Sequence, residues 1–381
     1  MLACQRHAFD VPDDIAYFNC AYMAPMLRAV REASQRALDH VARPWQVGAD
    51  DFFAPAERAR ERFAALIGAR ADDVAIVPSA SFGVSTAARN LPLAAGQVVL
   101  VLEEEFPSNV YPWHALARRT GGELRTVRRP ADHDWTRAIL AAIDDRVAIA
   151  ALPHCHWADG GLIDLAAVSA ALQRVGARLA LDVTQSLGAL PLDVAQVKVD
   201  YLACAAYKWL LGPYSIGFLY VAPEHHAGEP LDYNWITREQ SENFAGLVDY
   251  RDGFQPGARR FDMGERASFV LLPMAIAALD QLLAWSPAAI AARLATLTAH
   301  VADAATALGA HVAPPHLRAP HLLGLRFPDP VAAGLLDHLR AHRVFASIRG
   351  RTLRIAPHLH ITDADLDRLL AALGAHVAAR G

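Results

Sequence analysis

Short, almost wholly apolar runs rich in β-branched residues alternate with longer amphipathic segments up to about residue 220. That alternation restricts the fold more than any other feature. The runs at 74–77, 98–102, 147–152, 178–183, 201–204 and 216–221 read as strands. The stretches 26–41, 55–67, 110–120 and 165–175 read as helices between them, with 273–285 and 287–308 following later. A strand without polar alternation has to be covered on both faces, and RLALD at 178–182 is such a strand. The expected fold class is therefore α/β, with a mainly parallel sheet flanked by helices and a ligand crevice at the carboxyl ends of its strands.

Residues 223–264 carry histidines, prolines and acids with little periodicity, which predicts a long surface loop. From about Arg266 the pattern changes to two long helices, strand candidates at 321–327, 344–348 and 352–355, and a closing helix at 362–378. This is a smaller C-terminal α+β domain. The division is an N-terminal segment at 1–22 contributing to the active site, a large domain at 23–263 and a small domain at 264–381.

The formal charge is −4, and no basic block or aromatic-basic interleaving occurs, so no nucleic-acid partner is expected. Cys4, Cys20, Cys155 and Cys204 are dispersed without a CxxC pair, which suits a reducing, cytoplasmic setting. The first residues lack a basic start followed by an apolar run, so no export signal is expected. The apolar stretch 269–285 contains Pro273 and Asp280 and falls short of the roughly 20 residues of a membrane span, so it reads as a buried helix. The paired histidines His154/His156 and His358/His360 share strand faces, but no third ligand stands at a recognisable spacing and no metal is expected.

The sequence AAYKWLLGPYSIG at 205–217 sets a single lysine, Lys208, where an apolar strand leaves the sheet. A desolvated amine loses proton affinity and becomes a nucleophile able to form a Schiff base with an aldehyde. Taken alone, Lys208 reads first as a lysine snorkelling from a strand end. The strand LALDV places Asp182 at a second carboxyl end, where it serves either as a turn residue or as the partner of a pyridinium nitrogen. The two on successive strand ends favour the chemical reading.

At this point a resemblance is explicit. LALDVTQSLGALPLDV followed by DYLACAAYKWLLGPYSIGFLYV resembles the core of the class V aminotransferase family of fold-type I enzymes that use pyridoxal 5'-phosphate (PLP), a family that includes cysteine desulfurases, kynureninases and isopenicillin N epimerases. YFNCAYMAP at 17–25, GARRFDMGERASFVLLPMAIAAL at 257–279 and LRIAPHLHITDADLDRLLAAL at 353–373 are similar to the family's flanking segments in the same order. The resemblance implies Lys208 as the Schiff-base lysine and Asp182 as the partner of the ring nitrogen. It implies Gln185 at the ring hydroxyl or the Schiff base and Phe106 stacked on the ring, against the alternatives of a capping glutamine and a core phenylalanine. Ser81, in PSASFG ahead of a helix starting near Val84, and Tyr207 are the implied phosphate ligands, although a serine there also suits an N-cap.

Arg266 matches a segment reaching across a dimer interface toward the phosphate, or it is a surface residue at a helix start. Arg354 matches the residue that grips the substrate α-carboxylate, the alternative being a strand-end salt bridge. Asn19 is implied to line the same pocket, and Trp157 stands where relatives have an asparagine. The partners implied are a small amino-acid substrate and a second copy of the chain in a homodimer with a shared site.

The activity expected is that of an aminotransferase or epimerase acting at the α-carbon. A β-lyase or kynureninase-like hydrolase is the alternative, and a non-catalytic α/β binding module is the alternative of another class. The chain has neither a GxGxxG after its first strand nor a GxxxxGK[ST] loop, which argues against a nucleotide-binding module. No cysteine follows Cys204, which sets aside the persulfide route of the desulfurases.

Overall fold

The computed structural model describes residues 2–379, so residues 1, 380 and 381 of the expected terminal segments lie outside it. Four strands open the chain: β1 (Ala16–Tyr17), β2 (Val74–Val77), β3 (Val98–Leu102) and β4 (Glu123–Val127). β5 (Val147–Pro153), β6 (Arg178–Asp182), β7 (Tyr201–Ala205) and β8 (Gly217–Val221) follow. Seven of these form one sheet in the order β2-β8-β7-β6-β5-β3-β4, parallel except for β8.

Alternate residues of the sheet feed two separate cores. Leu179, Leu181, Leu202 and Cys204 join the larger one, while Ala180, Tyr201 and Ala203 join the other. This double burial explains the unbroken apolar runs. The edge strand β4 (ELRTV) is largely uncovered, and its polar sequence gave no strand signal.

Among the helices, α1 (Arg28–Val41), α2 (Ala49–Ile67), α5 (Trp135–Ala142), α6 (Leu165–Arg174) and α7 (Leu271–Trp285) pack into the larger core. α3 (Ala80–Asn90) and α4 (Tyr111–Thr120) cover the opposite face. Helix α2 begins six residues before the expected Pro55. Asp50 and Asp51 favour a helix start there, and the Asp51 carboxylate accepts a hydrogen bond from Gly48 N at 2.8 Å. Helix α3 likewise starts at Ala80 rather than near Val84, because Ser79 caps it by accepting from Phe82 N at 3.2 Å.

The C-terminal part carries α8 (Pro287–Ala307), β9 (His311–Val312), β10 (Leu323–Arg326), α9 (Asp329–Ala332) and α10 (Leu335–Ala341). It continues through β11 (Val344–Phe345), β12 (Ser347–Arg349), β13 (Thr352–Ile355) and α11 (Asp363–Ala378). The run read as one strand at 344–348 is two: β11 pairs in parallel with β1, and β12 is the edge of the antiparallel sheet β12-β13-β10-β9. The N-terminal segment thus docks on the C-terminal part. Residues 223–264 form a long connection containing only short 3-10 turns. Among the described residues, no single helix is long and apolar enough to cross a membrane.

Candidate active site

The carboxyl ends of β2, β6 and β7 converge on one edge of the sheet. A cavity of about 180 Å³ opens there, lined among others by Ser81, Glu105, Phe106, Trp157, Asp182, Gln185, Tyr207 and Lys208. Asp182 is the last residue of β6, and Lys208 follows β7 by three positions. The loop after the lysine turns back sharply: Leu211 N bonds Lys208 O at 3.0 Å and Gly212 N bonds Ala206 O at 2.9 Å. Leu211 and Ser215 hold φ of 56° and 67°, a conformation costly for side-chain-bearing residues and retained where the surroundings enforce it.

Lys208 is buried, and its Nζ lies 5.4 Å from the Phe106 ring centroid and 5.5 Å from that of Tyr207. Burial pulls its amine down to about 8, a fall that Asp182 opposes and Arg354 and Arg349 reinforce. Asp182 is also buried, which raises its carboxyl, while Thr184 N donates to Oδ1 at 2.9 Å and favours the charged form.

Helix α3 presents its first turn to the cavity. Gly83 permits this, since a Cβ there would meet Ala203 Cβ at 2.9 Å. With Phe82 N capped, Ala80 N and Ser81 N have no hydrogen-bond partner among the described residues, and Ser81 Oγ lies 2.8 Å from Ser79 Oγ. Two free N–H groups, a helix dipole, a hydroxyl and Tyr207 make an anion cradle beside the amine.

Gln185 lines the cavity with its amide already oriented: Nε2 donates to Ala21 O at 3.0 Å and Oε1 accepts from Trp209 Nε1 at 3.0 Å. Asn19 bridges to Ala356 just after β13, and its Oδ1 is buried without a partner. Arg354 is buried on β13, with Nε and Nη2 donating to Ser347 Oγ at 3.1 and 2.9 Å and Nη1 to Trp157 O at 2.9 Å. No carboxylate pairs with it among the described residues, so the strand-end salt bridge is not formed. Burial and the like charge of Arg349 lower its guanidinium to about 9.

Arg266 departs from its expected position. It is fully buried within its own chain, paired with Asp262 and bonded to Gln255 Oε1 at 3.0 Å, and it does not line the cavity. Asp262 simultaneously binds the buried Arg60, and this closed ion network holds Arg266 inward rather than toward a surface or a partner.

One cavity group escaped the sequence reading. Glu105 is buried, accepts from Phe106 N at 2.6 Å, and is pushed up to about 8 by burial and by the charge of Asp182. It therefore holds its proton more tightly than an ordinary carboxyl. The only signal was the acidic run EEE at 103–105 beside Phe106.

Four histidines sit where their charged form is disfavoured: His321, His358 and His360 are fully buried and His154 is half-buried. Burial lowers His154 and His360 to about 4, and His321 and His358 to about 3. His321 Nε2 contacts Gln185 O at 2.6 Å, and neither ring nitrogen of His358 has a partner. In the unfolded chain each takes a proton near pH 6.5, whereas the folded state resists it. The cost is absent above that value and grows as pH falls toward 4, at about 1.4 kcal/mol per pH unit for each histidine. The unfolding midpoint is expected to drop by more than about 8 °C between pH 7.5 and pH 5, and His358→Phe should lessen the drop. A midpoint that stays flat over this interval contradicts the burial argument.

The cavity suits an aldehyde-bearing aromatic phosphate: an amine of lowered proton affinity, a buried carboxylate, an aromatic face, and free N–H donors for the anion. The class-V aminotransferase family model matches residues 22–234. The uncharacterised aminotransferase YcbU of Bacillus subtilis is 30% identical over 314 residues, covering 81% of this chain and 80% of the relative. The isopenicillin N epimerase of Streptomyces clavuligerus is 29% identical, covering 84% and 83% of the two chains. The kynureninase of Deinococcus radiodurans is 30% identical, covering 69% and 64%. In fold, the chain is similar to a lysine-to-alanine variant of C-DES with glycine covalently linked to its PLP, with a TM-score of 0.88 at 19% identity over 97% of this chain and 98% of that one. It is also similar to the apo cysteine desulfurase of Thermococcus onnurineus, with a TM-score of 0.85 at 18% identity over 100% and 99%. The chain belongs to the class-V aminotransferase family of fold-type I enzymes, and its cofactor is pyridoxal 5'-phosphate.

Proposed function

We propose that this enzyme acts at the α-carbon of an amino acid, as an aminotransferase or an epimerase. The observation that carries the reading is the burial of Lys208 Nζ over the Phe106 ring, in one cavity with Asp182, with the carboxylate-free Arg354 acting electrostatically on the same amine. When bound, the cofactor supplies an aldehyde carbon for the lysine amine and a ring that accepts the electron pair left at Cα.

Arg354 spends three of its five N–H donors on Ser347 and Trp157, leaving one on each Nη nitrogen for the substrate α-carboxylate. That grip fixes Cα beside Lys208. The amine, about half deprotonated near pH 8, removes the α-proton and can return it. Asp182, oriented by Thr184, holds a proton on the ring nitrogen. Ser81, Tyr207 and the first N–H groups of α3 would hold the phosphate, Phe106 would stack on the ring, and Gln185, its amide oriented by Ala21 and Trp209, would serve the ring hydroxyl or the Schiff base.

Relatives described as an aminotransferase and an isopenicillin N epimerase support this reading. A kynureninase-like hydrolase is the second reading, favoured by Phe106, Tyr207 and the kynureninase relatives. Persulfide formation is not part of the proposal. No cysteine follows Cys204, and burial raises the Cys155 thiol, leaving it a poor nucleophile. A homodimer is proposed as well, supported by the cavity residue Tyr214 at 63% exposure, an aromatic wall that a second copy would cover.

An amino-acid panel incubated with the holoenzyme distinguishes the reactions. Keto-acid formation identifies transamination, and solvent deuterium at Cα with inverted configuration identifies epimerisation. A released β-fragment, with neither of these, overturns the proposal in favour of the second reading.

A further inference from the structure

Strands β12 and β13 pair antiparallel with Ser347 opposite Arg354 and Arg349 opposite Thr352. Alternate residues share a face of a sheet, so Ser347, Arg349 and Arg354 project to the same side. Both guanidinium groups then meet one aromatic wall: the Cζ atoms of Arg349 and Arg354 each lie 5.8 Å from the ring centroid of Trp157, which lines the Lys208 cavity. Both cations also act electrostatically on the Lys208 amine.

Neither arginine has a carboxylate partner among the described residues. Arg351, in the turn between β12 and β13, is paired with Asp329. The sole side-chain hydrogen bond of Arg349 among the described residues runs from Nη1 to Ile348 O at 2.8 Å. Two like charges on one face, one fully buried and one half-buried, are unfavourable without anions to offset them. Arg354 has two donors left, which one α-carboxylate saturates. Arg349 remains for a second anion. The acidic groups of the cavity, Asp182 and Glu105, are engaged elsewhere, by Thr184 and by the Phe106 backbone.

We infer that Arg349 binds a carboxylate on the substrate side chain, and that the substrates are dicarboxylic amino acids. The inference rests on the reading of Lys208 and Arg354 given above. Arg349 is then the residue that sets side-chain specificity, with Trp157 as the plate against which both guanidinium groups lie.

The test reads binding rather than turnover, as the change in visible absorbance of the holoenzyme when an amino acid is added. L-Aspartate, L-glutamate and L-2-aminoadipate are compared with L-asparagine and L-glutamine, which match the first two in shape but lack the charge. At least one acid is expected to bind about tenfold or more tightly than its amide, the size of one charge-assisted pair. In Arg349→Gln the acid-over-amide ratio should fall to within about twofold, and Arg349→Lys should keep part of it. Amides that bind wild type as well as the acids overturn this inference alone, with no variant required. A ratio unchanged in Arg349→Gln also overturns it. If no amino acid changes the absorbance, the reading of Lys208 and Arg354 falls and this inference falls with it.

Discussion

Lys208→Ala should lower turnover by at least about 10³-fold with every amino acid, because the substitution removes both the covalent anchor and the group that moves the α-proton. Unfolding should not account for the loss. The amine is held at about 8 against an ordinary 10.5, so below pH 8 the folded state is penalised for burying a charge it would keep in water. Removing that amine relieves up to about 3 kcal/mol, at about 1.4 kcal/mol per pKa unit, set against lost packing of the side-chain stem. The thermal midpoint of the cofactor-free variant is therefore expected at or above that of wild type. Borohydride treatment should fix the cofactor to wild type at Lys208, as read by peptide mass, and leave the variant unlabelled. A variant that retains turnover within tenfold of wild type sinks the assignment. The same lowered proton affinity predicts that cofactor uptake by wild-type apoenzyme accelerates from pH 7 to pH 8 and levels off near pH 9. An exposed lysine would continue to accelerate through pH 10.

Asp182→Asn should cost about 10²-fold or more in turnover. The amide fills the same space and still accepts from Thr184 N, but it carries no charge to hold a proton on the ring nitrogen. Its electrostatic consequences can be read separately. Asp182 supports the proton on Lys208 and adds to the rise that burial imposes on Glu105, so its neutralisation should lower the Lys208 value below about 8 and remove the smaller, electrostatic part of the Glu105 rise, burial keeping the rest. The pH midpoint of cofactor uptake should accordingly move down by up to about one unit. Unchanged turnover together with an unchanged uptake profile contradicts the role assigned to Asp182.

The parts of the fold legible in sequence are those where burial leaves no choice of residue. β2 and β3 match their expected bounds, and β5, β6, β7 and β8 fall within a residue of theirs, because strands covered on both faces tolerate only apolar side chains. The misses have local causes. β4 lies at an edge and carries Glu123 and Arg125 in place of an apolar run, and the start of α2 was hidden by Pro55, which reads as a first-turn residue but sits inside the helix.

For the site, the motifs placed Lys208, Asp182, Gln185, Phe106, Ser81, Tyr207, Arg266, Arg354 and Asn19 in a single candidate set; the first six line one cavity, whereas Arg354 and Asn19 are not among its lining residues. Arg266 does not join them. Its motif position says nothing of Asp262 and Gln255, which hold it inside its own chain.

What the sequence determined by itself was therefore the layered α/β architecture, the strand ends that carry the chemistry, and membership of a PLP-dependent family. Periodicity and ordered motifs are local properties of a chain, and they survive without coordinates. Only the tertiary structure decided that burial raises Glu105, that it lowers the proton affinity of four histidines, and that Arg349 and Arg354 face the same ring without acidic partners among the described residues. Those are properties of proximity and of dielectric. They depend on which distant segments are brought against a side chain and how much water they displace, and no spacing along the chain encodes them.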